Sequence, residues 1–264
     1  MKVLFFGDIV GRIGREAVVS LLPKLKAELQ PDVIIANVEN IAHGRGITQA
    51  TLQPVFDAGV EIATTGDHVW DKPEAYLLLQ DDRVPLVRPA NYPAGAVGQG
   101  ARIFTVGTKR LLVINLVGRV FLGEGVDSPF QAIDKILAEY AHVPVDARII
   151  DFHAEATSEK QAMGWHVDGR VSAIVGTHTH VPTADGRVLT GGTAYLSDLG
   201  MCGAYDGVIG FNKEDSLKRF RTGMPAALEI PTDGPAVINA AFIEIDDATG
   251  LATGIKNIQR VVNV

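Results

Sequence analysis

The stretch Met1-Lys2-Val3-Leu4-Phe5-Phe6-Gly7-Asp8 opens a pattern that recurs along the chain. Residues 2–6 predict a buried strand, and a glycine and a carboxylate follow it directly. Apolar side chains then recur at helical spacing between Arg15 and Leu29. A buried strand, a short polar turn and an amphipathic helix form the repeating unit of an α/β fold.

The same unit returns several times before the chain becomes richer in strands. Further strands are predicted at residues 32–38, 60–65, 102–106, 110–116, 147–152, 171–175, 194–197, 226–230, 237–245 and 255–262. Helices are predicted at residues 51–57, from Ser128-Pro129 onward, and at 213–221, with Pro54 in the first turn of its helix or kinking it. This order predicts one α/β domain over residues 1–264, with a mixed sheet or two stacked sheets.

The composition excludes several classes of protein. Of the 264 residues, 47% are hydrophobic and 21% are charged, which is typical of a globular chain and not of a disordered one. The formal charge of −7 disfavours a broad surface for duplex nucleic acid. Cys202 is the only cysteine, which excludes an intrachain disulfide and a thiolate zinc cluster. No apolar run reaches the roughly 18 residues that span a bilayer, and the start does not resemble a secretory signal, so we expect a cytoplasmic protein.

Carboxylates and imidazoles follow five of the predicted strands, at the point where each strand ends. These residues are Asp8, Glu39 with Asn40, Asp67 with His68, His153, and His178 with His180. Ligands of open α/β sheets bind outside the carboxyl ends of the strands. If the strands are neighbours, these side chains converge at one edge.

A cluster of this composition favours two bound metal ions. Several carboxylates and imidazoles cannot lie together dry and unpaired, because repulsion and desolvation would destabilise the fold. Mixed oxygen and nitrogen ligands suit iron, manganese, zinc or cobalt better than calcium or magnesium. Two such ions are suited to hydrolysis, in which a metal-activated hydroxide attacks phosphorus.

Each residue taken singly also has an ordinary structural interpretation. Asp8 fits a helix cap, Glu39 and Asn40 fit a turn, and a lone histidine at a strand end is often a hydrogen-bonded structural residue. The ordered set as a whole favours the metal site.

The ordered motifs resemble those of the calcineurin-like metallophosphoesterases. The resemblance rests on Gly7-Asp8, Glu39-Asn40, Gly66-Asp67-His68, His153 and Gly176-Thr177-His178-Thr179-His180. It is closer to the YmdB-type bacterial branch, through Asn40-Ile41-Ala42-His43-Gly44, Arg88-Pro89-Ala90-Asn91, residues 151–160 and Gly176-Thr177-His178-Thr179-His180-Val181. It extends from Met1 to about Asp246.

The resemblance implies a fold, an activity and a role for each residue. The fold would be a four-layer α/β/β/α sandwich with two stacked mixed β-sheets. The activity would be that of a phosphodiesterase with two transition-metal ions, most simply iron or manganese, acting on small phosphodiesters that include cyclic nucleotides such as 2',3'-cyclic AMP. One ion would be held by Asp8, Glu39, Asn40 and His180, and the second by the bridging Glu39 with Asp67, His153 and His178. His68 would bind no metal and would protonate the leaving alkoxide or stabilise the phosphoryl charge.

Three positions depart from the broader superfamily. Val10 stands where a histidine is usual and Glu39-Asn40 where an aspartate is usual, and both departures are shared with the YmdB-type branch. Asp67 stands where the family has asparagine. Our hypothesis is that Asp67 still binds the second ion, with a third carboxylate altering metal preference or pH optimum.

Two other functions remain open at this stage. A bridging hydroxide also attacks carbonyl carbon, so a binuclear amidohydrolase is an alternative. A non-catalytic regulator that binds a phosphorylated ligand is another. The roles of His43, Asn91, Glu155 and Asp198 are left open, as is the formation of a homo-oligomer.

Overall fold

The computed structural model describes residues 1–122, 125–225 and 227–264 as a mixed α/β protein with several sheets. Its strands are β1 (Lys2–Phe6), β2 (Asp8–Ile9), β3 (Val33–Asn37), β4 (Ile62–Thr64), β5 (Leu86–Val87), β6 (Ala101–Val106), β7 (Lys109–Val117), β8 (Ala147–His153), β9 (Ala173–Thr177), β10 (Arg187–Val188), β11 (Ala194–Leu196), β12 (Met201–Ala204), β13 (Gly207–Val208), β14 (Phe211–Asn212), β15 (Pro235–Ile245) and β16 (Ala252–Asn263). Its α-helices are α1 (Gly11–Leu29), α2 (Gln49–Ala58), α3 (Glu74–Gln80), α4 (Pro129–Glu139), α5 (Thr157–His166) and α6 (Lys213–Thr222), and a 3-10 helix covers Asp67–Trp70.

The first sheet contains the strands from the start and the end of the chain. Its order is β2-β12-β15-β1-β3-β4-β5, and β16 pairs with β15. The strands β1, β3, β4 and β5 run parallel, and β15 is antiparallel to β1. The carboxyl ends of β1, β3 and β4 therefore lie at the same edge.

The second sheet is built from the middle of the chain in the order β10-β11-β9-β8-β7-β6. Its strands β7, β8, β9 and β11 are parallel, while β6 and β7 form the antiparallel hairpin predicted around Gly107. The carboxyl ends of β8 and β9 carry His153 and the segment that contains His178.

Apolar side chains from both sheets share one core cluster. Phe5 and Ile35 of the first sheet belong to the same cluster as Val113, Ile149 and Val175 of the second. A second cluster combines the first sheet with α1 and α2, and a third combines the second sheet with α4 and α5. The sheets thus contact each other through their inner faces.

Several predicted elements differ from the structure. The helix predicted at 51–57 begins earlier, at Gln49, because Thr48 caps it, so Pro54 lies in its second turn and not in its first. The strand predicted at 226–230 includes residue 226, which lies outside the described residues, and residues 227–230 form no strand. The helices α3 and α5 were not predicted.

In the described parts of the chain, the helices are too short or too polar to cross a bilayer.

Candidate metal centre

Strands of both sheets deliver the predicted site residues to one region. Asp8 lies in β2, just after β1, and Glu39 and Asn40 follow β3 by one residue. The 3-10 helix after β4 carries Asp67 and His68. His153 ends β8, and His178 follows β9 directly, two residues before His180. The expected convergence of strand ends is therefore present in the fold.

Four of these residues form a compact cluster that could hold a metal ion. The cluster consists of Glu39, Asp67, His153 and His178, and one ligand atom of each lies within 4.8 Å of all the others. His153 Nε2 is 3.0 Å from Asp67 Oδ1 and 3.2 Å from Glu39 Oε1. His178 Nδ1 is 3.4 Å from Asp67 Oδ1. Asp67, the departure from the family pattern, thus lies among the other candidate ligands.

Asn40, His180 and Asp8 surround this cluster without belonging to it. Asn40 Nδ2 lies 3.1 Å from His180 Nε2 and donates to Glu39 Oε1 at 2.9 Å. Rotation of the Asn40 amide exchanges its nitrogen and oxygen, so the side chain can present a ligand oxygen at the same place. Asp8 Oδ2 accepts a hydrogen bond from His178 N at 3.2 Å.

His68 lies beside the cluster, with its Nδ1 3.8 Å from Asp67 Oδ2. Its Nδ1 is 3.1 Å from Asp71 Oδ2, and its backbone N–H donates to Glu39 Oε2 at 3.2 Å. Its side chain is about a quarter exposed. Asp71 therefore fixes Nδ1 of the ring, and Nε2 is the nitrogen left to meet a substrate.

The electrostatics of the cluster favour a cation. Burial raises the pKa of Asp8 to about 7. Burial opposes charging of His153, yet the carboxylates of Glu39, Asp67 and Asp8 raise the pKa of its imidazole well above the ordinary value. Burial also works against ionisation of Asp67, but hydrogen bonds with His153 and His178 lower its pKa. The same carboxylates that favour the protonated imidazole would stabilise a bound cation.

Asp8 provides an independent test of whether a metal ion fits. Its side chain is fully buried, and Oδ1 has no hydrogen-bond partner among the described residues. A buried carboxylate oxygen without a donor is costly, and coordination of a metal ion would satisfy it. Gly66 gives the same indication, because a Cβ there would lie 2.2 Å from Glu39 Oε2 and 2.5 Å from His153 Nε2. The donor set therefore fits a metal ion, and only glycine leaves it room.

A buried relay behind His153 sets the orientation of its ring. Asp151 is completely buried and accepts hydrogen bonds from Asn37, Thr64 and Thr177. The Thr177 hydroxyl donates to Asp151 at 2.7 Å, so it accepts from His153 Nδ1 at 2.9 Å. This arrangement presents Nε2 of His153 to the cluster, in the way that outer partners orient metal-binding histidines.

A buried ion pair holds the segment with the other two histidines. Lys160 Nζ donates to Asp198 Oδ2 at 2.6 Å and to Thr177 O at 2.8 Å, and Asp198 Oδ2 also accepts from Thr179 N at 3.1 Å. His178 and His180 have φ angles of 101° and 66°, which are uncommon for residues other than glycine. The Lys160–Asp198 pair therefore holds a strained backbone in place.

The hairpin of β13 and β14 supports His180 from the other side. His180 Nδ1 donates to Ile209 O at 2.9 Å, which presents Nε2 to Asn40. Ile209 and Gly210 connect the two strands, with φ angles of 48° and 93°. A positive φ in a β-branched residue is strained.

The structure resolves some of the roles that were left open. Glu155 Oε2 lies 3.1 Å from His178 Nε2, so Glu155 contacts a candidate ligand. Asn91 donates to Val117 O and Asp127 O and accepts from Val117 N, so it positions the strand residue that pairs with His153. His43 is exposed, with a φ of 58°, in the turn after Asn40.

Sequence reasoning missed Asp151, Lys160 and Arg45. Arg45 lines the pocket of about 280 Å³ above the cluster, together with His68, His178 and His180. Its position in Gly44-Arg45-Gly46, next to the quoted Asn40–Gly44 motif, was a usable signal. The Asp-x-His spacing of Asp151 and His153 was another.

Comparisons with known proteins find relatives along nearly the whole chain. A 2',3'-cyclic-nucleotide 2'-phosphodiesterase from Bacillus subtilis is 46% identical over 258 residues, which cover 98% of this chain and 96% of that protein. A hypothetical protein from Thermus thermophilus superposes with a TM-score of 0.91 at 39% identity and 99% coverage of both chains. A novel phosphatase from Mycoplasma pneumoniae superposes with a TM-score of 0.92 at 35% identity, covering 100% of this chain and 94% of that one.

The family model described as YmdB-like protein matches residues 4–258. This match spans nearly all the motifs on which the resemblance was based, and it confirms the predicted branch. The chain therefore belongs to the YmdB-like protein family.

Proposed function

We propose that this chain is a metal-dependent phosphodiesterase that hydrolyses 2',3'-cyclic nucleotides. The observation that carries the proposal is the cluster of Glu39, Asp67, His153 and His178, found in a chain that is 46% identical to a 2',3'-cyclic-nucleotide 2'-phosphodiesterase. The relatives favour this activity over an amidohydrolase or a non-catalytic regulator.

The donor set supports a site for two metal ions. Asp8, Asn40 and His180 would hold one ion with Glu39, and Glu39 would bridge to the second, held also by Asp67, His153 and His178. The mixture of carboxylate and imidazole ligands suits iron or manganese, with zinc or cobalt as substitutes. When bound, such ions activate water and neutralise charge on the phosphoryl oxygens.

The remaining chemistry belongs to side chains at the rim of the pocket. His68, with Nδ1 held by Asp71, would donate a proton from Nε2 to the leaving alkoxide oxygen. Arg45 carries a permanent positive charge into the same pocket and would bind a phosphoryl oxygen. His178 is held by Glu155 and His180 by Ile209, so neither ring needs to reorient when the substrate binds.

We also propose a finer description of the fold and of the setting. The three core clusters support a single domain with four layers, α/β/β/α, in which the two sheets form the middle. The single cysteine is buried and unpaired in a chain that needs no disulfide, which suits the reducing cytoplasm.

The experiment that tests this function combines metal analysis with a substrate screen. The full chain loaded with Mn²⁺ is assayed on 2',3'-cyclic AMP, a chromogenic phosphodiester and a simple amide. We expect hydrolysis of the two phosphodiesters, and loss of at least about 100-fold in kcat for His68→Ala with metal content unchanged. Hydrolysis of the amide alone, or full activity of His68→Ala, would contradict the proposal.

A further inference from the structure

An apolar compartment lies beside the metal centre, between the β13–β14 hairpin and α6. Its volume is about 230 Å³, and Val208, Ile209, Phe211, Phe220 and Leu228 supply its apolar lining. The polar side chains at its boundary are Ser216 and Arg219. We call this space the hairpin compartment.

The hairpin compartment and the pocket above the metal cluster share two walls. Ile209 and Phe211 line both cavities, so the two spaces adjoin each other at these side chains. The residues that line the pocket above the cluster are mostly polar and include Glu39, Arg45 and His178. One continuous surface therefore changes from charged to apolar at Ile209 and Phe211.

The backbone of Ile209 adopts a conformation that is unfavourable for isoleucine. Its φ of 48° in a two-residue hairpin turn is one that asparagine, aspartate or glycine adopts with less strain. Its side chain is 46% exposed and so recovers little of that cost by burial. Phe220, on the facing helix, is 80% exposed. Strain and exposed apolar surface that border a site are typical of ligand-binding surfaces.

We propose that the hairpin compartment binds the nucleobase of the substrate. This inference rests on the proposed function and extends it, because a nucleotide combines an anionic phosphodiester with a flat apolar ring. The phosphodiester would lie over the metal cluster, and the base would stack against Phe220 and Ile209. Arg219 at the boundary would donate hydrogen bonds to the edge of the base, whereas the buried Ser216 hydroxyl already donates to Asn212 O. Binding pockets of this kind are mostly apolar, with a few placed polar groups.

The test compares a substrate that has a base with one that lacks it. The full chain loaded with Mn²⁺ is assayed on 2',3'-cyclic AMP and on glycerol 1,2-cyclic phosphate, as wild type, Phe220→Ala, Phe220→Tyr and Leu217→Ala. Because Phe220 is exposed, its truncation leaves the core packing intact. Leu217 is the matched control, since it is exposed on the same helix but does not line the compartment.

We expect Phe220→Ala to lower kcat/KM for 2',3'-cyclic AMP about 10-fold more than kcat/KM for glycerol 1,2-cyclic phosphate. A difference of this size corresponds to the loss of one base-stacking contact. Phe220→Tyr should retain most of the preference, and Leu217→Ala should leave both substrates unaffected. Equal changes on the two substrates would overturn the inference. So would self-association of the wild type in sedimentation that Phe220→Ala abolishes, with an unchanged substrate ratio, because the apolar surface would then be a contact between copies of this chain.

A binding measurement separates this inference from the proposed function. Adenosine binding by calorimetry should weaken about 10-fold in Phe220→Ala relative to wild type. If the wild type hydrolyses neither phosphodiester, the proposed function fails, and Phe220-dependent adenosine binding would still support the compartment as a base site. Absence of adenosine binding to the wild type would overturn the inference itself.

Discussion

Asp67 Oδ1 lies 3.0 Å from His153 Nε2, so a carboxylate occupies the ligand position at which the family resemblance implies an amide. The third carboxylate strengthens attraction for a metal ion and weakens the ion's effect on bound water. We expect Asp67→Asn to lower metal affinity about 10-fold and to move the acidic limb of the pH–rate profile to lower pH. Competition with a chelator and a pH–rate series measure both effects. Unchanged values in both would remove the charge argument, and exposed Asp134→Asn is the control.

The relay from Asp151 through Thr177 to His153 predicts a second effect on metal binding. Thr177→Val removes the hydroxyl that orients His153, whereas Thr177→Ser keeps it. We expect the valine variant to lose about 10–100-fold in metal affinity and the serine variant to retain most of it. Calorimetric titration with Mn²⁺ measures this. Equal affinities of the two variants would show that the hydroxyl does not orient the ring.

The Lys160–Asp198 pair predicts a large effect on stability. Both side chains are almost completely buried, so Lys160→Met leaves the Asp198 charge without its partner. We expect a loss of about 3–5 kcal/mol in the free energy of unfolding, with partial recovery in the double variant Lys160→Met/Asp198→Asn. Urea unfolding of the metal-depleted chain provides the measurement.

The exposed pair of Arg170 and Asp134 serves as the control for that prediction. Arg170→Met should cost less than about 1 kcal/mol, because solvent screens exposed ion pairs. Comparable losses from Lys160→Met and Arg170→Met would mean that the buried pair does not restrain the histidine segment.

Asp185 gives a prediction about pH. Partial burial acts to raise the pKa of this carboxyl. Hydrogen bonds from Ser197 and Thr183 outweigh that effect, so the pKa lies below the ordinary value of 3.8. A depressed pKa in the folded state contributes stability above pH 3.8 that is lost as pH falls through the folded-state pKa. Asp185→Asn should therefore be less stable than wild type at pH 7, by less than about 1 kcal/mol because solvent screens this partly exposed carboxylate. Thermal unfolding between pH 3 and pH 7 should show this gap narrowing at the acid end, and a constant gap would contradict the assignment.

The sequence predicted the buried parallel strands well. Strands such as β3 and β9 are covered on both faces and therefore appear as uninterrupted apolar runs. The polar residues that end them were found for the same reason, since the transition from apolar to charged is abrupt. The sequence predicted that Asp8, Glu39, Asp67 and His153 would converge if their strands were neighbours, whereas the structure brings them together from two different sheets.

Helix α5 was not predicted because its buried face is polar. Glu159 and Lys160 are buried on it, and they are satisfied by Arg119 N, Val120 N and Asp198. Hydrophobic periodicity cannot detect a face whose burial depends on partners far away in the chain. The Asp151 relay and the Ile209 contact were missed for the same reason, because both depend on tertiary contacts between distant segments.

The candidate ligands come from two separate sheets, with Asp8, Glu39 and Asp67 following strands of one, and His153 and His178 following strands of the other. A cation bound by these residues would link the two sheets at the edge where their strand ends meet. Elsewhere the sheets are joined by apolar side chains of one cluster, which includes Phe5 and Ile35 of the first sheet and Ile149 and Val113 of the second. Removal of the metal ion by a chelator would accordingly destabilise one edge more than the rest of the core. The rates of amide hydrogen exchange would increase most at that edge.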